Sequence, residues 1–327
     1  FNNFSYFLPD LIRHYLIKLG FVLEADIDMI IDASGFSYSD EWSAKLRIYH
    51  LKNELERFHK NSKPYIFLPQ AFGPFSNKSS CSWIASSFKY AAMICARELV
   101  SYNFIEGVAG PLTNLHQYPD FTNMLQGSVR QTSRSSNHVV YIIPNRNMTK
   151  TNKHITSWKM VYHQLIAKVI NCYREMGLDP YFLNHSGSFD EPTILDINSF
   201  LSMPIGIEIV SDPLEIKGMI GTAKAVFSSR YHGCVSALSQ GKPCIATSWS
   251  HKYDLLYDQY GATELLLKPN STDRQIKRVV DISLNANSRL HRRIRDEAYL
   301  EQRRTQTMWD KFFEIVTQYD AFSKQVF

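Results

Sequence analysis

The sequence predicts an α/β protein of two domains facing each other across a cleft, each built on a mostly parallel sheet. Three observations carry this expectation. Short apolar runs end in small or polar residues and alternate with stretches of helical spacing, the pattern of βαβ units. A polar segment rich in Ser, Gly and Arg, residues 126–137, interrupts that alternation, and the same rhythm restarts after it. The length of 327 residues is also large for a single hydrophobic core.

Taken in order, the runs 28–33, 65–69 and 91–96 are expected strands. They stop at Ser34-Gly35, at Gln70 followed by Gly73-Pro74, and at Arg97-Glu98. Between the first two, residues 43–59 carry Leu46, Tyr49, Leu51 and Leu55 at roughly helical spacing. In the second half, 138–143 is an expected strand and 158–176 an amphipathic helix closed by Gly177. Strands follow at 180–183 and 207–210. Asp212-Pro213 then opens a helix, with Asp as N-cap and Pro at the first helical position. A strand at 225–228, a helix running to Gly241, a strand at 243–247 and basic amphipathic helices from 272 onward complete the chain. The domains are therefore set at 1–128 and 138–300, both Rossmann-like, with a linker at 129–137. A C-terminal helix at 301–327 is expected to pack back on the first domain.

Composition narrows the function. With 44% hydrophobic and 20% charged residues, the chain is a folded protein and not a disordered one. A net charge of +5 suits a small anionic substrate, or weak attraction to an acidic membrane surface in peripheral contact, and does not argue for nucleic acid. Five scattered cysteines read as buried free thiols of a reducing compartment, so a cytoplasmic location is the default, and no zinc spacing occurs. No apolar run approaches the roughly 20 residues that span a bilayer. The chain opens on Phe1 without a signal pattern, which reads as a fragment whose true start is missing.

In open α/β sheets, ligands bind beyond the carboxyl ends of the strands. In the second half those ends carry Asn145-Arg146-Asn147, Asn184-His185, Arg230-Tyr231-His232, and Ser248-Trp249-Ser250-His251-Lys252. All four supply donors or cations and none a carboxylate, which describes a site for an anion. Arg230 and His232 stand where a strand turns into a helix, whose exposed N–H groups and dipole favour negative charge. Arg adds a fork of donors matched to carboxylate or phosphate. His251 and Lys252 are expected in a loop. In the first half, Asp32-Ala33-Ser34-Gly35 makes a tight turn whose backbone faces a ligand. Neither a G-x-G-x-x-G nor a P-loop motif occurs. Arg97-Glu98 read as structural ion pairs. Asp26-Ile27-Asp28 precedes its strand and is discounted as a metal site. The basic run 289–295 reads as a solvated helix face. No metal is expected.

These segments, in this order, resemble the polysaccharide pyruvyl transferase family. The resemblance begins at Asp32-Ala33-Ser34-Gly35-Phe36 and Ser39-Asp40-Glu41-Trp42. It continues through Leu68-Pro69-Gln70-Ala71-Phe72-Gly73-Pro74-Phe75, the Ala96-Arg97-Glu98 to Ser101 stretch, and Pro119-Asp120. Its most specific part is Ser228-Ser229-Arg230-Tyr231-His232-Gly233 with Ala237-Leu238-Ser239-Gln240-Gly241-Lys242-Pro243, and residues 249–261 complete it. The opening strand and glycine-containing turn usual in the family are missing. The resemblance implies a GT-B-like pair of domains, the first on the acceptor side and the second on the donor side. It implies transfer of pyruvate from phosphoenolpyruvate onto two hydroxyls of a sugar or lipid-linked glycan, forming a cyclic ketal and releasing phosphate, with no cofactor beyond that donor. Arg230, Lys252, Arg146, Asn145, Ser248, Ser34, Gly35 and Gln70 are the expected substrate-binding residues, and His232, His185 and His251 the expected proton-handling ones. A nucleotide-sugar-dependent glycosyltransferase and a non-catalytic glycan-binding protein of the same fold are the alternatives; the sequence leaves the oligomeric state open.

Overall fold

The computed structural model describes residues 3–40, 45–128, 138–149, 156–248 and 250–325. The expected linker at 129–137, the Glu41-Trp42 pair and Trp249 lie outside the described residues, and of Leu46 and His251 only the backbone is described. The chain forms two compact units, one of residues 1–121 with 304–327, the other of residues 122–303.

The first unit begins with α1 (Asp10–Lys18). It continues through β1 (Ile30–Asp32), α2 (Lys45–Lys60), β2 (Tyr65–Gln70), α3 (Lys78–Ser87), β3 (Met93–Ala96), α4 (Leu99–Ala109) and β4 (Leu115–Gln117). The four strands lie in the order β1-β2-β3-β4, every pair parallel, so all their carboxyl ends reach the same edge. Strand alternation divides the sheet between two apolar layers. Tyr65, Phe67 and Ile94 face Ile48, Leu51 and Leu55 of α2 and Ile84 of α3. Ile66, Leu68, Met93 and Cys95 face Met308, Phe312 and Ile315 of the last helix. The expected helical stripe needs one correction. Tyr49 is 44% exposed, while Ile48 and Phe58 are buried beside Leu51 and Leu55. Positions 48, 51, 55 and 58 repeat at i, i+3 and i+4, and residue 49 falls off that stripe, its ring resting on Trp83.

The second unit runs through β5 (Val139–Ile143), α5 (Thr156–Lys159), α6 (Tyr162–Glu175), β6 (Asp179–Asn184), α7 (Glu191–Ser199) and β7 (Ile207–Ile209). It continues with α8 (Pro213–Thr222), β8 (Ala225–Ser228), α9 (Tyr231–Leu238), β9 (Cys244–Thr247), α10 (His251–Gln259), β10 (Leu266–Leu267) and α11 (Asp273–Leu284). The final helix, α12 (Arg289–Gln325), gives Leu290, Ile294 and Ala298 to this unit's core. The six strands are parallel in the order β10-β9-β8-β5-β6-β7. The chain winds outward from β5 through β6 to β7, then returns to the other side of β5 with β8. The carboxyl ends of β5 and β8 thus flank a topological switch point, where such sheets leave a crevice. Asp212 caps α8 by accepting the amide of Leu214 at 2.8 Å, as its sequence position predicts.

Three expectations change. Residues 158–176 form two helices, not one, with Trp158 tied into the β9 loop and Tyr162 into the β5 loop. The Trp158 indole donates to the Ser248 carbonyl at 2.8 Å, and the Tyr162 hydroxyl accepts the Asn145 amide at 2.9 Å. Residues 122–128, expected in the first domain, pack in the second unit. There the Ser128 amide donates to the Leu214 carbonyl at 2.9 Å, Lys217 donates to the Thr122 carbonyl at 2.7 Å, and a Cβ on Gly127 would collide with the backbone of Gly218 and one on Gly218 with that of Ser128. His251 and Lys252 open α10 instead of lying in a loop. Among the described residues, no helix is long and apolar enough to cross a membrane.

Candidate functional site

The loops that leave β5, β6 and β8 bring Arg146, His185, Arg230 and His232 to the switch point. Arg230 is the N-cap of α9, and its side chain makes no capping bond to its own helix. Ser228 Oγ fixes that turn, accepting the Arg230 amide at 3.1 Å and donating to the Arg230 carbonyl at 2.9 Å. The Ser229 carbonyl accepts from Asn145 Nδ2 at 3.0 Å and from the Tyr253 hydroxyl at 2.8 Å, and Ser229 Oγ lies 2.7 Å from Thr247 Oγ1. The start of α9 is therefore a rigid platform. Asn145, expected to bind substrate, is 3% exposed, with its Oδ1 accepting the Asn147 amide and its Nδ2 held by Ser229. Its side chain shapes the loop that presents Arg146.

One residue of this cluster escaped the reading of strand ends. Asp190, 1% exposed, accepts the Arg146 amide at 3.0 Å on Oδ1 and Arg230 Nε at 2.5 Å on Oδ2. The expectation of a site without carboxylates is corrected accordingly. Asp190 follows a 3-10 turn at Gly187–Phe189, too far past the end of β6 to stand among the residues directly after the strand. Before Glu191-Pro192 it looks like an ordinary N-cap, yet its side chain makes no capping bond. Phe189 beside it carries both cations on its ring, Arg146 at 5.7 Å and Arg230 at 5.6 Å from the centroid.

Electrostatics single out His185. Burial pushes its pKa down to about 4, reinforced by the positive neighbours Arg230 and His232 and opposed by Asp190. At neutral pH it is an uncharged imidazole. Lys252, in the first turn of α10, lies over the rings of Tyr231 at 5.1 Å and Tyr253 at 5.9 Å. Those rings join it to the α9 cluster. Ser248 sits at the end of β9, its hydroxyl donating to the Ser250 carbonyl at 2.9 Å. Ser250 caps α10 without a side-chain capping bond, and its Oγ is buried with no hydrogen-bond partner among the described residues. The starts of α9 and α10, both left open by their cap side chains, follow the adjacent strands β8 and β9.

In the first unit, Ser34, Gly35 and Gln70 gather around Asp32 at the end of β1. Asp32 accepts Ser34 N at 2.9 Å, Ser34 Oγ at 2.5 Å, the Tyr38 hydroxyl at 2.6 Å and the Tyr65 hydroxyl at 3.2 Å. Burial and the Asp32 carboxylate push the Tyr38 hydroxyl pKa up, and burial with the Tyr38 and Asp32 neighbours does the same for Tyr65, so both remain donors. Gly35 has φ +74°, a conformation natural to glycine, and its carbonyl accepts the Ala71 amide at 2.9 Å. Gln70 is fully buried; its Nε2 lies 3.5 Å from Asp32 and its Oε1 has no partner among the described residues. Arg97 pairs with Glu98 at 3.7 Å and Asp120 at 3.5 Å, the structural role expected of it.

The family model for polysaccharide pyruvyl transferase matches residues 1–251. The chain belongs to the polysaccharide pyruvyl transferase family. Among curated proteins none matches this family member. Similar solved structures include a UDP-forming α,α-trehalose-phosphate synthase from Burkholderia xenovorans, with 10% identity, a TM-score of 0.52, and coverage of 92% of this chain and 76% of that one. A trehalose-6-phosphate structure from E. coli bound with UDP-2-fluoro glucose gives 8% identity, a TM-score of 0.52, and 91% and 76% coverage. At such identities the likeness concerns fold alone, and the fold is that of GT-B glycosyltransferases, with two Rossmann-like parallel sheets.

Proposed function

We propose that this pyruvyl transferase family member moves the pyruvate unit of phosphoenolpyruvate onto two hydroxyls of one sugar in a glycan, forming a cyclic ketal and releasing phosphate. The observation that supports this most is the Arg230 cluster. A guanidinium with its Nη2 buried and unpartnered among the described residues stands at the open start of α9, with His185 and His232 as its neighbours. Phosphoenolpyruvate carries a phosphate and a carboxylate, and such a set of donors holds both.

The chemistry follows from the donor. A proton is delivered to the methylene carbon, making it a methyl group, while one sugar hydroxyl attacks the adjacent carbon. The C–O bond to phosphate then breaks, and the neighbouring hydroxyl attacks the same carbon to close the ring. Of the two hydroxyl protons lost, one replaces that given to the methyl carbon and the other leaves with phosphate. His232 and His251 are assigned to proton delivery. His185, uncharged at neutral pH, enters as a proton acceptor or hydrogen-bonding imidazole. Arg146 and Lys252 support the anion beside Arg230, and Ser34, Gly35 and Gln70 form the acceptor side.

The experiment is thermal unfolding with phosphoenolpyruvate for the wild type and Arg230→Ala, followed by an assay of phosphate release that depends on added glycan. A ligand that binds only the folded chain, at about 100 times its dissociation constant, stabilises by about 2.7 kcal/mol. The expected result is a shift seen only with Arg230 present. Stabilisation by UDP and none by phosphoenolpyruvate would overturn the reading in favour of a nucleotide-sugar transferase.

A further inference from the structure

We propose that Asp190 is the positioning residue of the Arg230 anion seat, holding the guanidinium by one edge so that Nη2 is kept for the ligand. This rests on the reading of the β5 and β8 strand ends as a seat for an anion. Arg57 and Glu24 form a closed pair in which Nε meets Oε1 at 2.9 Å and Nη2 meets Oε2 at 2.7 Å. That fork uses both carboxylate oxygens on one guanidinium edge. Asp190 does not close the fork. Its Oδ2 takes Arg230 Nε, while its Oδ1 is drawn to the amide of Arg146, and Nη2 stays buried without a partner among the described residues.

A buried N–H without a partner is costly to keep, so an orphan donor held in a fixed place points to a group that arrives later. Arg230 also lies over the ring of Phe189, 5.6 Å from its centroid, a second contact that restricts the guanidinium. By binding the amide of Arg146 as well, Asp190 sets the β5 loop and the α9 cap in register with one carboxylate.

The sign of one substitution separates this role from simple charge compensation. Asp190→Asn removes a negative charge beside an anion site, and Coulomb attraction alone then tightens anion binding. Positioning demands the opposite, because a neutral carboxamide holds the Arg230 guanidinium more weakly than the carboxylate does. Asp190→Glu keeps the charge and displaces the oxygens by one methylene, so any loss it causes is geometric.

The probe is inorganic phosphate, titrated calorimetrically into the full chain, with unfolding temperature recorded for each variant. Asp190→Asn is expected to weaken phosphate at least tenfold and Asp190→Glu at least fivefold. In an Arg230→Ala background, Asp190→Asn is expected to add no further loss. Unchanged or tighter phosphate binding in either variant, or an equal loss without Arg230, would overturn the proposal. Wild-type phosphate binding without phosphoenolpyruvate turnover removes the pyruvyl reading and leaves Asp190 judged by phosphate. Turnover in the wild type beside full phosphate affinity in both variants removes Asp190 alone. A wild type that binds neither ligand removes both.

Discussion

His185 shows how one side chain links the site to the stability of the fold. Its folded pKa near 4 lies below the ordinary 6.5 of a histidine, so between those values the unfolded chain takes up a proton that the folded chain refuses. Stability attributable to it is therefore full above about pH 6.5 and falls as the pH drops toward 4, by about 3 kcal/mol at most. The charged groups facing it, Arg230 and His232 against Asp190, set the direction, with burial as the largest cause. His185→Gln keeps a polar group that does not titrate in this range. It is expected to flatten the decline in unfolding temperature between pH 7 and pH 4.5 relative to the wild type. A slope identical to the wild type would show that His185 titrates normally in the fold. At this scale the sequence showed which donors stand at strand ends, since Arg146, His185, Arg230 and His232 do meet at the switch point. It did not show how Asn145 is spent, because an Asn that binds a ligand and one that closes its own loop look the same in one dimension.

The element that matters most is the start of α9, and its close seat against β8 depends on Gly233. A Cβ there would collide with Ser228 Oγ, the group that bonds both the amide and the carbonyl of Arg230. Gly233→Ala is expected to cost about 1–3 kcal/mol, the range for overpacking a tight interior. It is also expected to weaken phosphate binding, because the displaced turn carries Arg230. Denaturant unfolding and phosphate titration check the two parts, and normal values in both would mean that the turn absorbs the methyl group. Strands were legible in the sequence wherever an apolar run was long and ended sharply, as for β2, β5 and β8. β4 and β10 were not, having three and two residues and too little pattern to stand out. The start of α10 was missed for a different reason. Residues 248–252 mix small, polar and aromatic side chains without helical periodicity, and the apolar positions that reveal the helix come only with Tyr253, Leu256 and Tyr257.

On the scale of the whole molecule, α12 supplies core residues to both units, although its basic run 289–295 reads in sequence as a solvated helix face. Leu290, Ile294 and Ala298 are buried in the second unit's core, and Met308, Phe312 and Ile315 cover one face of the first unit's sheet. The spacing 290, 294, 298 and 308, 312, 315 keeps one apolar stripe along a helix whose other faces carry the charge. The chain's last helix therefore completes its first sheet: without Met308, Phe312 and Ile315, the side chains of Ile66, Leu68, Met93 and Cys95 lose their cover. Met308 is fully buried, and Met308→Ala removes atoms from the centre of that layer. The expected cost is about 2–5 kcal/mol. Because a chain of two units need not unfold in one step, the measurement is native-state hydrogen exchange followed element by element. Amides of β2 and β3 are expected to lose protection, while those of β5 and β8 keep theirs and phosphate affinity stays at the wild-type value. Equal loss of protection in both sheets would mean that the two units unfold as one cooperative body. Unchanged protection in β2 and β3 would mean that α12 contributes little to the stability of the first sheet.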